Sequence, residues 1–109
     1  QNLKENKMLM QKVDQALLKS HNLNDIAQLL GCSISTLQRR FRKSYGITAA
    51  DYIRRRRLER AKKLLTVNGL SIGEAAYLSG YNHSSNFAAA FKKQFGMTPS
   101  DLLRQHCLV

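Results

Sequence analysis

Ser35, Thr36, Gln38 and Arg39 place hydroxyl, amide and guanidinium groups within five consecutive positions, and Arg40, Arg42 and Lys43 follow at once. These groups suit hydrogen bonding to base edges. Arginine can pair bidentately with guanine and glutamine with adenine, each good pair discriminating by about 1–3 kcal/mol. The later cations suit phosphates. Fifty residues on, Ser84, Ser85 and Asn86 precede Ala88, Ala89, Lys92 and Lys93. There Asn86 could reach adenine, the alanines could pack on thymine methyls, and the lysines would meet phosphate. Solvated charge on a surface helix is the plain alternative for the first set, and the second unit is expected mainly to contribute positioning and shape readout with few base contacts. Catalytic chemistry has much less to stand on. His21, His83 and His106 are the imidazole bases, and no nucleophile, carboxylate pair or metal spacing accompanies them. The sequence therefore predicts no enzyme, no cofactor and no metal. Cys32 and Cys107 are far apart, without a second Cys or His at ligand spacing, and read as inert thiols of a cytoplasmic protein.

The bulk composition agrees with a polyanionic partner. In 109 residues, 18 Lys+Arg stand against 7 Asp+Glu for a formal charge of +11, while 43% hydrophobic residues argue for a packed core rather than disorder. The excess is uneven. Eleven basic residues lie between Arg39 and Lys63, against Asp51 and Glu59, whereas the stretch from Thr66 onward has only Lys92, Lys93 and Arg104. The first half should grip the polyanion harder. No apolar run approaches the roughly 20 residues of a membrane span. Membrane binding is the rival reading of the charge, which composition alone leaves open; the partner expected is DNA, not a membrane. The chain opens on Gln1, which reads as a piece of a longer protein with an effector or dimerisation domain elsewhere.

The elements that must position these groups are visible as an internal repeat. Phe41-Arg-Lys-Ser-Tyr-Gly-Ile-Thr-Ala-Ala-Asp51 returns as Phe91-Lys-Lys-Gln-Phe-Gly-Met-Thr-Pro-Ser-Asp101, with every position but Ser44/Gln94 and Ala49/Pro99 keeping identity or chemical type. Arg54 and Arg104 also correspond. Upstream, Asn22, Asp25 and Ala27 match Ser71, Glu74 and Ala76 at an offset of 49, so one residue is inserted between Gly80 and Phe91 relative to Gly31–Phe41. Ser71 and Glu74 make a capping box, and Asn22 with Asp25 its weaker counterpart. Each first helix runs about eight residues to Gly31 or Gly80, where glycine suits the left-handed residue that ends a helix. The second helix is expected to start from Ser33 or Asn82 as N-cap and to stop at Gly46 or Gly96. Ile34, Leu37 and Phe41 then share one face, as do Phe87, Ala90 and Phe91. Two short helices about a glycine-containing turn are the helix-turn-helix pattern.

Thr48 and Thr98 open further helices, with Pro99 at the tolerated first position. The helix from Thr48 meets no breaker before Asn68-Gly69 and should span roughly 18 residues. Leu9, Val13 and Leu17 mark an amphipathic helix that covers the first unit's core. The reading is all-α, with seven helices: a first subdomain over 1–47, a linker helix over 48–66 and a second subdomain over 67–109. A helix of that length is about 27 Å long, against about 34 Å between successive major-groove faces on one side of B-DNA. Such a connector would let a monomer read two groove segments. Within it, Arg54-Arg-Arg-Arg57 covers about 300° of circumference and cannot all face one surface. Arg57 falls on the stripe Ile53, Ala61, Leu64 and reads as structural, whereas the other three are phosphate contacts or solvated charge.

These residues resemble the DNA-binding domain of the AraC/XylS family of bacterial regulators. The similarity is densest from Ile72 to Pro99, through Gly80-Tyr81, Ser85, Phe87, Phe91-Lys-Lys, Phe95-Gly96 and Thr98-Pro99. Ile26-Ala27, Gly31, Ser33, Leu37, Phe41-Arg-Lys, Gly46, Tyr52, Arg57-Leu58, Ala61 and Leu64-Leu65 agree in the rest. The resemblance implies seven helices, binding to double-stranded promoter DNA, and activation by contact with RNA polymerase. It places base readout at Ser35, Gln38 and Arg39 and at Ser84, Ser85 and Asn86. One departure stands out: many members have Ser-Arg where this chain has Ala88-Ala89. The run Asn82–Phe91 is similar to the branch that controls siderophore and iron-uptake genes. A non-specific architectural or basic adaptor module is the alternative function, favoured by the neutral second reading helix.

Overall fold

Most of the helices begin where a short polar side chain can satisfy their first amides. The computed structural model describes the backbone of residues 3–19 and 22–107, and the side chains of 7–19 and 22–106. His21 and the Cys107 side chain, named above, lie outside the described residues. Seven α-helices follow in order: α1 (Leu3–Leu17), α2 (Leu23–Leu29), α3 (Ile34–Tyr45), α4 (Ala49–Thr66), α5 (Ile72–Leu78), α6 (Ser84–Phe95) and α7 (Pro99–Cys107). There is no strand among the described residues. This is the all-α, tandem helix-turn-helix architecture that the repeat predicts.

Capping agrees with the sequence at all but one of the six starts for which a cap is expected. Asn22 accepts from the Asn24 amide at 2.7 Å. Ser33 accepts from the Thr36 amide at 3.1 Å. Ser71 and Glu74 form the reciprocal capping box, both bonds at 3.1 Å. Thr48 and Thr98 accept from the Asp51 and Asp101 amides, each at 3.1 Å. The exception is α6, whose N-cap is His83 rather than Asn82, with no side-chain capping bond. The cause is the inserted residue. Between the helix-ending glycine and the next cap the first unit has one residue, Cys32, and the second has two, Tyr81 and Asn82. The insertion is absorbed in the turn, and α3 and α6 stay in register at an offset of 50. Gly46 and Gly96 close these helices with φ of +77° and +80°, a left-handed backbone that a β-carbon would strain.

The chain divides into one unit ending at Arg54 and another beginning at Arg55. In the first, Leu9, Val13 and Ala16 of α1 bury against Ile26, Ala27, Leu37, Phe41, Ala49 and Ile53, with Leu17 partly buried beside them. Phe41 makes tilted ring contacts with Tyr45 and Tyr52 at centroid distances of 4.5 and 5.0 Å. Two long-range bonds hold α1 down. The Tyr52 hydroxyl donates to Asp14 Oδ1 at 2.7 Å, and the Met10 amide donates to the Tyr45 hydroxyl at 3.1 Å. Burial pushes the Tyr45 phenol above its ordinary range, partly offset by that amide bond.

In the second unit, Leu58, Ala61 and Leu65 bury against Ala75, Ala76, Phe87 and Phe91, with Leu102 and Leu103 of α7 packed alongside. Phe91 lies 5.6 Å from Phe87 and 4.5 Å from Phe95, and Lys62 sits over the Phe95 ring. Ala27 and Ala76, equivalent in the repeat, are 2% and 3% exposed. Their small side chains allow the close helix approach that the motif requires. The repeat extends to a charged pair: Asp51 binds Arg54 and Asp101 binds Arg104, three residues apart in each case.

Candidate nucleic-acid interface

Helix α3 projects its polar side chains because its apolar ones are used up below. At about 100° per residue, Ile34, Leu37, Phe41 and Tyr45 share one side, where Leu37 and Phe41 are fully buried and the other two partly. The opposite arc, about 160° wide, carries Ser35, Arg39, Arg40, Arg42 and Lys43, all exposed, together with Thr36. Gln38 is half-buried at the rim of that arc. Thr36 is also half-buried, and its hydroxyl already accepts from Ser33 Oγ at 3.0 Å. Arg42 and Lys43 fall in the last turn, where cations also complement the helix dipole.

Helix α6 repeats this layout with different chemistry. Phe87 and Phe91 are fully buried, and Ala90 packs against the same core. Ser85, Asn86, Ala89, Lys92 and Lys93 are exposed together, and Ala88 is half-buried at the rim in the place of Gln38. Ser84, also exposed, occupies the register of Ile34 and falls off that arc, on the side that continues into Phe87 and Phe91. Arg39 and Arg40 are matched here by Ala89 and Ala90. The first face thus presents four cations and the second two.

The groove beside α3 adds residues that sequence reasoning passed over. Asn24 and Gln28 of α2 line it with Cys32, Ser33, Ile34 and Ser35. Their four-residue spacing on the exposed side of α2 is the signal that could have found them. In the second unit Tyr77, at the repeat position of Gln28, is 77% exposed. Cys32 is free and partly packed on the first core. On α4, Arg54, Arg55, Arg56, Arg60, Lys62 and Lys63 are exposed, whereas Arg57 is half-buried on the stripe with Ile53, Ala61 and Leu64. Arg56 pairs with Glu59 at 3.8 Å. Among the described residues no three His, Cys, Asp or Glu groups could hold a metal, and no helix is long and apolar enough to cross a membrane.

Residues 26–105 match the family model described as a helix-turn-helix domain. The chain is 35% identical over 97 residues to the HTH-type transcriptional regulator GlxA of Rhizobium meliloti, covering 89% of this chain and 30% of that protein. It is 31% identical over 81 residues to the HTH-type transcriptional activator RhaS of Escherichia coli, covering 74% and 29%. The chain therefore spans about a third of the length of these curated relatives. Among solved structures, an AraC-type transcriptional regulator from Chromobacterium violaceum superimposes with a TM-score of 0.81 at 25% identity, covering 96% of both chains. The C-terminal domain of the response regulator yesN from Fusobacterium nucleatum gives 0.78 at 25% identity, covering 92% of this chain and 98% of that one. These relatives are transcription regulators, not enzymes.

Proposed function

The chain belongs to the AraC-type family of helix-turn-helix transcription regulators, and we propose that it binds promoter DNA sequence-specifically through both units, in adjacent major grooves. On this reading α3 takes bases through Ser35, Thr36, Gln38 and Arg39 and phosphates through Arg40, Arg42 and Lys43. Helix α6 takes bases through Ser85 and Asn86 and phosphates through Lys92 and Lys93, while Ser84, off the exposed arc, is left out of base readout. The observation that carries the reading is the exposed arc of α3, where one guanidinium and one hydroxyl sit mid-face among further cations. That is the arrangement for base-edge contact flanked by backbone contact. Support for two grooves comes from the unbroken 18-residue α4, which the two units share.

On this reading the protein acts as an activator, which its 31% identity to RhaS, itself named an activator, supports. Contact with RNA polymerase would be the means and rests on the family resemblance alone. An effector or dimerisation domain elsewhere in a longer protein would supply control, in keeping with the small share of each relative matched here. Control of siderophore and iron-uptake genes rests on the Asn82–Phe91 motif alone and is read out by their transcription under iron limitation.

Selection of bound sequences from a random DNA pool tests the central claim. Two preferred blocks about one helical turn apart are expected. The sparse α6 face favours a second reading, a non-specific architectural module. That reading predicts no preferred sequence and nearly stoichiometric displacement by random competitor DNA.

A further inference from the structure

The two reading faces differ most at their centres. In α3 the centre is Arg39, and the repeat puts Ala89 at the same place on α6. Ala89 is exposed and framed on the helix surface by Ser85 and Asn86 one turn before and by Lys92 and Lys93 one turn after, all exposed. A single methyl therefore stands in the middle of a polar frame. The side chains around it are short until the lysines, so the helix can approach a groove floor closely. A methyl offers no hydrogen bond to a base edge, and the group it can cover in the major groove is the 5-methyl of thymine. Asn86, three residues earlier on the same face, has the donor and acceptor that match adenine N7 and N6.

We infer that the second unit is a reader of A·T pairs, with Ala89 packed on a thymine methyl and Asn86 paired to adenine, while Arg39 gives the first unit a guanine preference. This rests on the DNA-binding function proposed above and assigns each block its base class. The two readouts differ in their response to salt. Lysine contacts to phosphate release counterions, whereas methyl on methyl releases none, so the α6 preference should persist where overall affinity falls.

The experiment uses the chain with the duplex recovered by selection, replacing thymine by deoxyuridine in one block at a time, which removes only the 5-methyl. Binding is followed by fluorescence anisotropy at two salt concentrations. The expected result is an A·T-containing second block in which each contacted deoxyuridine weakens binding about threefold to fourfold, the size of one buried methyl, equally at both salts. The variant Ala89→Arg, at an exposed helical position that tolerates arginine, should abolish that sensitivity and shift the recovered base towards guanine. A second block that is protected in footprinting yet indifferent to deoxyuridine, or that is recovered as G·C, overturns the inference and leaves promoter binding intact. Recovery of no preferred sequence at all overturns the proposed function itself.

Discussion

Arg39 and Arg42 share the exposed arc of α3 but should fail differently when removed. Arg39 lies mid-helix, where a base edge would be, and Arg42 lies in the last turn, where phosphate would be. Arg39→Ala is expected to relax sequence preference by about 1–3 kcal/mol at one base pair, measured as the ratio of preferred to mismatched affinity in gel shifts. Arg42→Ala should weaken all sequences alike and reduce the slope of log affinity against log salt by about 0.9. An unchanged preference in Arg39→Ala would remove the base-reading assignment. Which residues could face outward was legible in the sequence, because Ile34, Leu37 and Phe41 claim one side at helical spacing. The state of each hydroxyl was not. Thr36 shares its oxygen with the Ser33 cap, and Ser84 takes the core-side register, since the helix it opens starts one residue later than its best capping residue suggested.

The helix ends are where stability can be tested with least damage to the interface. Ser33 caps α3, whereas His83 occupies the same position on α6 and makes no side-chain capping bond. His83→Ser should therefore stabilise the second unit by about 1 kcal/mol, seen as a raised melting temperature. A lower melting temperature would mean that the imidazole serves α6 in some other way. The capping box of α5 makes an acid-sensitive element. The Ser71 amide, and after it the Ser71 hydroxyl, hold the Glu74 carboxyl below its ordinary range. A depressed folded value stabilises at pH above the usual glutamate range, about 4.3, and that contribution is lost as pH falls through the depressed value. Melting temperature should fall across that acid window, and Glu74→Gln should show a shallower fall. Asp101 behaves in the same direction, held low first by the Thr98 hydroxyl, so the residual slope in Glu74→Gln belongs partly to α7.

At the scale of the whole molecule, the formal charge of +11 makes affinity a salt-dependent quantity. The five phosphate contacts proposed, Arg40, Arg42, Lys43, Lys92 and Lys93, predict a slope of log affinity against log salt near −4.5, at about 0.9 per contact. A steeper slope that Arg55→Ala or Arg60→Ala reduces would enlist the exposed basic positions of α4. A slope well below that number would mean that fewer of these cations reach the backbone. By itself the sequence determined the seven helices, their caps at Asn22, Ser33, Thr48, Ser71 and Thr98, and the charge imbalance between the halves. These follow from interactions spanning three or four residues, or from simple counting. Tertiary structure decided where the inserted residue went, because burying Phe87 and Phe91 in the second core holds α6 in register and leaves the slack to the turn. It also decided how α4 is used, with Ala49 and Ile53 in one core and Leu58, Ala61 and Leu65 in the other. Helical period alone says which residues share a stripe; the partner that covers the stripe is fixed only by packing between segments distant in the chain.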